Sequence, residues 1–110
     1  METGPTGQAA SRIDALQRLA ATRPDDPRAR FGLALEYEKA GRWEEMIAEL
    51  RRYLALADDE GNAYGRLGHA LRELGRDEEA RAAYRQGIEA AQRHGHPTMA
   101  MEFEEILEDL

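Results

Sequence analysis

His94-Gly95-His96, with His69 as a conceivable third member, is the sharpest ligand-like pattern in the chain, since imidazole nitrogens bind transition metals. A resident metal normally shows more than this, with cysteines, histidines and carboxylates together at ligand spacing. No cysteine is present, and no carboxylate stands at a fixed spacing from the pair. The two histidines bracket a helix-terminating glycine, where a histidine near the last carbonyls is already explained by the helix dipole. Metal binding is therefore the weakest functional reading, and the expectation is no metal and no cofactor.

Catalysis finds less support. Without cysteine there is no thiolate nucleophile. Ser11 has no nearby histidine and no glycine-flanked turn. The many carboxylates recur at the i, i+4 spacing of solvating charges and helix-stabilising pairs. No glycine-rich loop could cradle a phosphate. The chain does not read as an enzyme. Arg66, His69 and Arg72 form a different pattern, at i, i+3 and i+6, a basic stripe on one helical face of an acidic protein. Guanidinium groups are suited to bidentate capture of a carboxylate. The plainer alternative is that these side chains are solvated or paired with Glu38 and Glu73, as charged helix faces usually are.

Helices must position these groups. Valine is absent, and Ala, Leu, Glu and Arg dominate, a composition that favours helix and starves a sheet of β-branched residues. Shifted by 34, the sequence falls into register with itself over residues 27–60 and 61–94. Leu33 meets Leu67, Tyr37 meets Leu71, Gly41 meets Gly75, Arg42 meets Arg76, and Glu44-Glu45 meets Glu78-Glu79. Such a period signals a stacked array of repeats.

The glycines, prolines and small polar residues of 1–8 predict a disordered tail. A first helix follows over about 9–23, with Ile13, Leu16, Leu19 and Ala20 on one stripe and Pro24 as its end. Asp26 is a good N-cap, and Pro27 suits the first helical position. That helix runs to about Ala40 and stops at Gly41. Another starts around Trp43, with Glu44 and Glu45 at its positive end and Met46, Ile47, Leu50, Tyr53 and Leu54 as a core face. Asp58-Asp59 offers the next N-cap; helices over 62–74 and 77–93 end at Gly75 and Gly95. The last, over 97–110, places Met99, Phe103, Ile106, Leu107 and Leu110 on one face and Glu102, Glu104, Glu105, Glu108 and Asp109 around the rest. Six helices with short loops are expected.

At 110 residues this is material for one domain with a modest core. The net charge of −7 and a pI near 5.0 argue against phosphate backbones and anionic membranes as partners, so no nucleic acid and no membrane are expected. No apolar run approaches the roughly 18 residues of a spanning helix. The first residues lack the basic start and apolar stretch of a signal peptide, which makes the cytoplasm the default location.

The two 34-residue units resemble tetratricopeptide repeats. Counting from Pro27 and Gly61, large residues recur at position 7 (Leu33, Leu67) and 11 (Tyr37, Leu71), and small ones at 8 (Ala34, Gly68). Ala80 stands at position 20 of the second unit, and Leu50 and Tyr84 at 24. Arg30, Met46 and Tyr53 depart from the family pattern in the first unit and are expected to loosen its packing. Leu16, Leu19 and Pro24 fit positions 24, 27 and 32 of a preceding half-unit. The helix over 97–110 reads as a cap, its apolar face displaced by about one residue from a following half-unit.

The resemblance implies an all-α fold, a right-handed α-solenoid of antiparallel helix pairs, and a non-enzymatic interaction module or adaptor. Its first helices would line a concave groove that takes a peptide or partner helix. By position, the groove residues are Arg28, Phe31, Gly32, Leu35, Glu38 and Lys39 in one unit. In the other they are Asn62, Gly65, Arg66, His69, Arg72 and Glu73. The candidate partner-binding set is Arg28, Phe31, Leu35, Asn62, Arg66, His69 and Arg72, facing a protein or peptide with an apolar anchor and an acidic or C-terminal carboxylate group. The alternative function is self-association into homodimers or larger assemblies through the apolar last helix.

Overall fold

The computed structural model describes residues 7–110. Among them are six helices: α1 (Gly7–Thr22), α2 (Pro27–Lys39), α3 (Trp43–Leu56), α4 (Asn62–Glu73), α5 (Asp77–Arg93) and α6 (Pro97–Glu108). No strand occurs among the described residues, and none of these helices is long and apolar enough to cross a membrane. Of the expected tail, residues 1–6 lie outside the described residues, whereas Gly7 and Gln8 already belong to α1. The chain divides at Ala57/Asp58 into two compact units, α1–α3 and α4–α6.

Helix boundaries follow local chemistry. The Asp26 carboxylate accepts the Arg28 N–H at 2.9 Å, and Pro27 takes the first helical turn of α2, where its missing donor costs nothing. The glycines that follow α2, α4 and α5 all have positive φ, at 68°, 72° and 76° for Gly41, Gly75 and Gly95. At each of these ends the next residue's N–H reaches back over the final turn. Arg42 bonds the Tyr37 carbonyl, Arg76 that of Leu71 and His96 that of Ala91. These are Schellman closures, which need a residue free to enter the left-handed region. The cap before α4 differs from the simple expectation. Only Asp59 serves it, buried and accepting the N–H groups of Gly61 (2.8 Å) and Ala63 (2.9 Å).

In the first unit, Ile13, Ala20, Ala29, Leu33, Ala34, Tyr37, Met46, Ile47 and Leu50 are buried. The hydroxyl of Tyr37 accepts from Gln17 at 2.9 Å, so the one polar atom of that core ring is satisfied. Two glutamates are buried as well, each held by two cations. Arg12 (3.2 Å) and Lys39 (3.3 Å) reach Glu36, while Arg30 (3.1 Å) and Arg52 (2.6 Å) reach Glu49. Burial pushes the Glu36 carboxyl upward, but the bonds from Arg12 and Lys39 outweigh it and leave the group below its ordinary value. Arg30, at a position where the repeat pattern expects a large apolar residue, thus brings its charge into the α2–α3 contact opposite a counter-charge. Tyr53 fills space against Phe31, with ring centroids 5.0 Å apart. The departures from the pattern are compensated in place.

The second unit is built on small residues. Ala63, Ala70, Ala80, Ala83, Ala90, Ala91 and Ala100 are buried beside Leu67, Leu71, Tyr84 and Phe103. A Cβ on Gly68 would lie 2.6 Å from the Tyr84 ring. Cβ atoms on Gly65 and Gly87 would lie 2.6 and 2.8 Å from the Phe103 ring. Helix α6 is therefore seated by one aromatic side chain on bare backbone of α4 and α5, and Tyr84 and Phe103 pack tilted at 5.7 Å. Burying such a ring contributes about 1.5–3 kcal/mol.

Candidate partner-binding surface

The seven candidate residues lie on the first helices of the two repeats, α2 and α4. On α2, Arg28 is exposed, but its guanidinium returns to its own cap, with Nε 3.1 Å from Asp26 Oδ1 and a terminal nitrogen 2.8 Å from Oδ2. That bidentate pair, first through its side-chain bonds and then through the backbone bond, holds the Asp26 carboxyl at about 2. Phe31 and Leu35, one turn apart, are each half-buried. Phe31 leans on Tyr53 at an interplanar angle of 47°. Two faces of an apolar patch thus remain partly open, stiffened from behind by a second ring. Gly32, between them, turns toward α1, where a Cβ would meet the Leu16 side chain at 3.3 Å. Lys39 is exposed and bonded to Glu36.

On α4, Asn62 is exposed in the first turn and Arg66 is half-buried. His69 is exposed, with Nε2 3.8 Å from Glu73 Oε1 one turn on. Arg72 is exposed too, and its side chain lies near the phenol of Tyr84. Burial raises that phenol's pKa, and Arg72 partly opposes the rise. The phenol is neutral at ordinary pH and offers Arg72 no counter-charge. Arg66, His69 and Arg72 are brought to neighbouring turns of one helix, as their spacing requires. Gly65 differs from the expected open groove position, because Phe103 of α6 covers it.

Further contacts had no reading in the sequence. The histidines around Gly95 face the segment that precedes α4, with His94 Nε2 3.1 Å from Asp58 Oδ2 and His96 Nε2 bonded to Glu60. Arg93 also reaches Asp58 at 3.3 Å. His94 foremost, then Arg93, holds the Asp58 carboxyl below its ordinary value, and His96 does the same for Glu60. Asp58 is thus drawn away from capping, which leaves that task to Asp59. Among the described residues, no group of three or more His, Asp or Glu side chains is arranged to hold a metal ion. The seat of Phe103 left a trace in the sequence. Repeat two has Gly65 and Gly87 where repeat one has Phe31 and Tyr53, so bulk is missing at both positions of one contact.

Comparison with known proteins agrees with this geometry. Residues 61–94 match the family profile described as tetratricopeptide repeat. Among solved structures, the chain is similar to one titled MamA MSR-1 C2, at 20% identity and a TM-score of 0.67, over 94% of this chain and 68% of that one. No curated protein matches the sequence. Residues 61–94 are thus a tetratricopeptide repeat, set in an all-α chain with the fold of a small tetratricopeptide-repeat domain.

Proposed function

We propose that the protein is a non-catalytic interaction module that takes a peptide or partner helix on the exposed faces of its first helices. Tetratricopeptide repeats serve in general as protein-binding elements, and the side chains here suit that use. The observation that carries the reading is the row on α4, where His69 and Arg72 stand exposed beside Arg66 and Arg72 lies near a neutral phenol. A cation presented in this way can still take a carboxylate. On α2, Phe31 and Leu35 supply a half-open apolar patch backed by Tyr53. The favoured ligand is an extended segment with an apolar anchor and an acidic side chain or terminal carboxylate.

The test is affinity capture from the source lysate with wild type and with His69→Glu plus Arg72→Glu, both exposed positions that the core does not need. A protein retained by wild type and lost with the double variant, with circular dichroism unchanged, is the expected result. Equal retention by the two would end the proposal for the basic row.

A further inference from the structure

Both complete helix pairs bury the same positions. The second helix directs its residues 24 and 27 toward the first helix of its pair. In repeat one Leu50 is fully buried and Tyr53 packs on Phe31, and in repeat two Tyr84 is buried against Gly68. The first helix buries its residue 7, with Leu33 at 1% exposure and Leu67 at 5%. The first and last helices each leave a large apolar side chain uncovered. Helix α1 has Leu16 and Leu19 at places 24 and 27. Leu19 is 40% exposed, and the two leucines line a depression of about 360 Å³ with Arg23, Asp26, Arg28 and Ala29. On α6, whose buried residues are Ala100 and Phe103, Met101 is 59% exposed. Leu19 on α1 and Met101 on α6 are thus exposed apolar side chains at the two ends of the chain's helix order.

Charge completes the match. Most carboxylates elsewhere bond an arginine, lysine or histidine, but Glu102, Glu104, Glu105, Glu108 and Asp109 form no ion pair among the described residues. Helix α1 and its exit present Arg18 and Arg23 beside the exposed leucine. The Arg30–Glu49 pair shows that a helix-pair interface of this kind accepts a glutamate when an arginine reaches it. The net charge of −7 sets two copies against each other at long range, yet charges beyond about 8 Å are screened at physiological salt. The groups at the contact therefore decide.

We propose that copies of this chain associate head to tail, with Met101 of α6 in one copy entering the Leu16–Leu19 depression of α1 in the next. The positions that test this inference, Leu19 and Met101, lie outside the candidate partner-binding set, of which Arg28 also lines the depression. The contact is heterologous, so one copy uses two different faces and growth does not stop at a pair by symmetry. A single helix pair lies at the small end of stable interfaces, which makes the association weak and concentration-dependent.

Sedimentation equilibrium on the full chain, from about 10 µM to about 1 mM, tests this with Leu19→Glu and Met101→Glu, two exposed positions, with circular dichroism checking that each variant keeps its helix content. Wild type is expected to rise past the mass of two copies, and each variant alone to stay monomeric. Mixed one to one, the variants have one good face each and should give a dimer and nothing larger. A wild type monomeric throughout the range would overturn the proposal. Self-association retained by Leu19→Glu alone would also overturn it, by pointing to α6 meeting α6, and so would a mixture that stays monomeric.

Discussion

At the scale of single residues, Asp26 joins three functions in one carboxylate. It caps α2, it chelates Arg28 and it carries the most acidic group described, at about 2 against an ordinary value near 3.8. A carboxyl depressed on folding stabilises fully above its unfolded value and loses that contribution as pH falls through the folded one. Thermal melts from pH 5 to pH 2 should therefore show Asp26→Asn converging on wild type as the acid limit is approached. At pH 7 Asp26→Asn should melt only slightly below wild type, because the amide oxygen can still accept the Arg28 N–H, while Asp26→Ala should melt clearly lower. Equal melting of the two variants at pH 7 would show that charge, not capping, is what Asp26 contributes. Residue-level features of this kind were legible in advance, since Asp26-Pro27 and the glycines after α2, α4 and α5 act through neighbours a few bonds away. Asp59 was only half legible. It was one of two adjacent candidates, and the choice depended on His94, which claims Asp58 from 36 residues along the chain.

At the scale of elements, helix existence and the main core faces could be read from periodicity, because a 3.6-residue stripe has to bury itself whatever its neighbour. What each stripe meets could not be read so directly. Leu19 lies on the predicted stripe of α1 yet is 40% exposed, since no described helix packs over that part of it. The seat of α6 depends on three segments at once, α4, α5 and one side chain of α6 itself. Gly65→Ala tests it. In an open helix this change would stabilise by up to about 1 kcal/mol through propensity. Here the new methyl would stand 2.6 Å from Phe103, and overpacking should win, for a net loss of about 1–3 kcal/mol. Combined with Phe103→Leu, which withdraws the ring edge, the alanine should become nearly neutral. Urea titrations of the four proteins measure this coupling, and additive effects would show that the ring is not what fixes glycine at position 65.

At the scale of the whole molecule, the order of packing follows the order of sequence: α1 on α2, α2 on α3, α4 on α5 and α5 on α6. Contacts so local require little loop closure before they form, and helical proteins of this kind fold in about microseconds to milliseconds. Temperature-jump relaxation should fall in that window, and a dominant phase of seconds would contradict the reading. The division at Ala57/Asp58 falls three residues before the second 34-residue unit begins at Gly61. The repeat did not reveal how differently the two units are stabilised. The first uses ion pairs around Glu36 and Glu49 and stacked rings, while the second uses alanines and glycines that let backbones approach.

The glycines beneath Phe103 also bear on the history open to the chain. Loss of α6 would bare α4 and α5 backbone at two places at once, and no single substitution refills both. Adding bulk at position 65 or 87 first would collide with the ring while it is still present. Neither order of change is free of cost, so the last helix is entrenched by contingency. The Arg30–Glu49 tie, by contrast, is one that drift can replace, since an apolar pair of similar volume would serve as well.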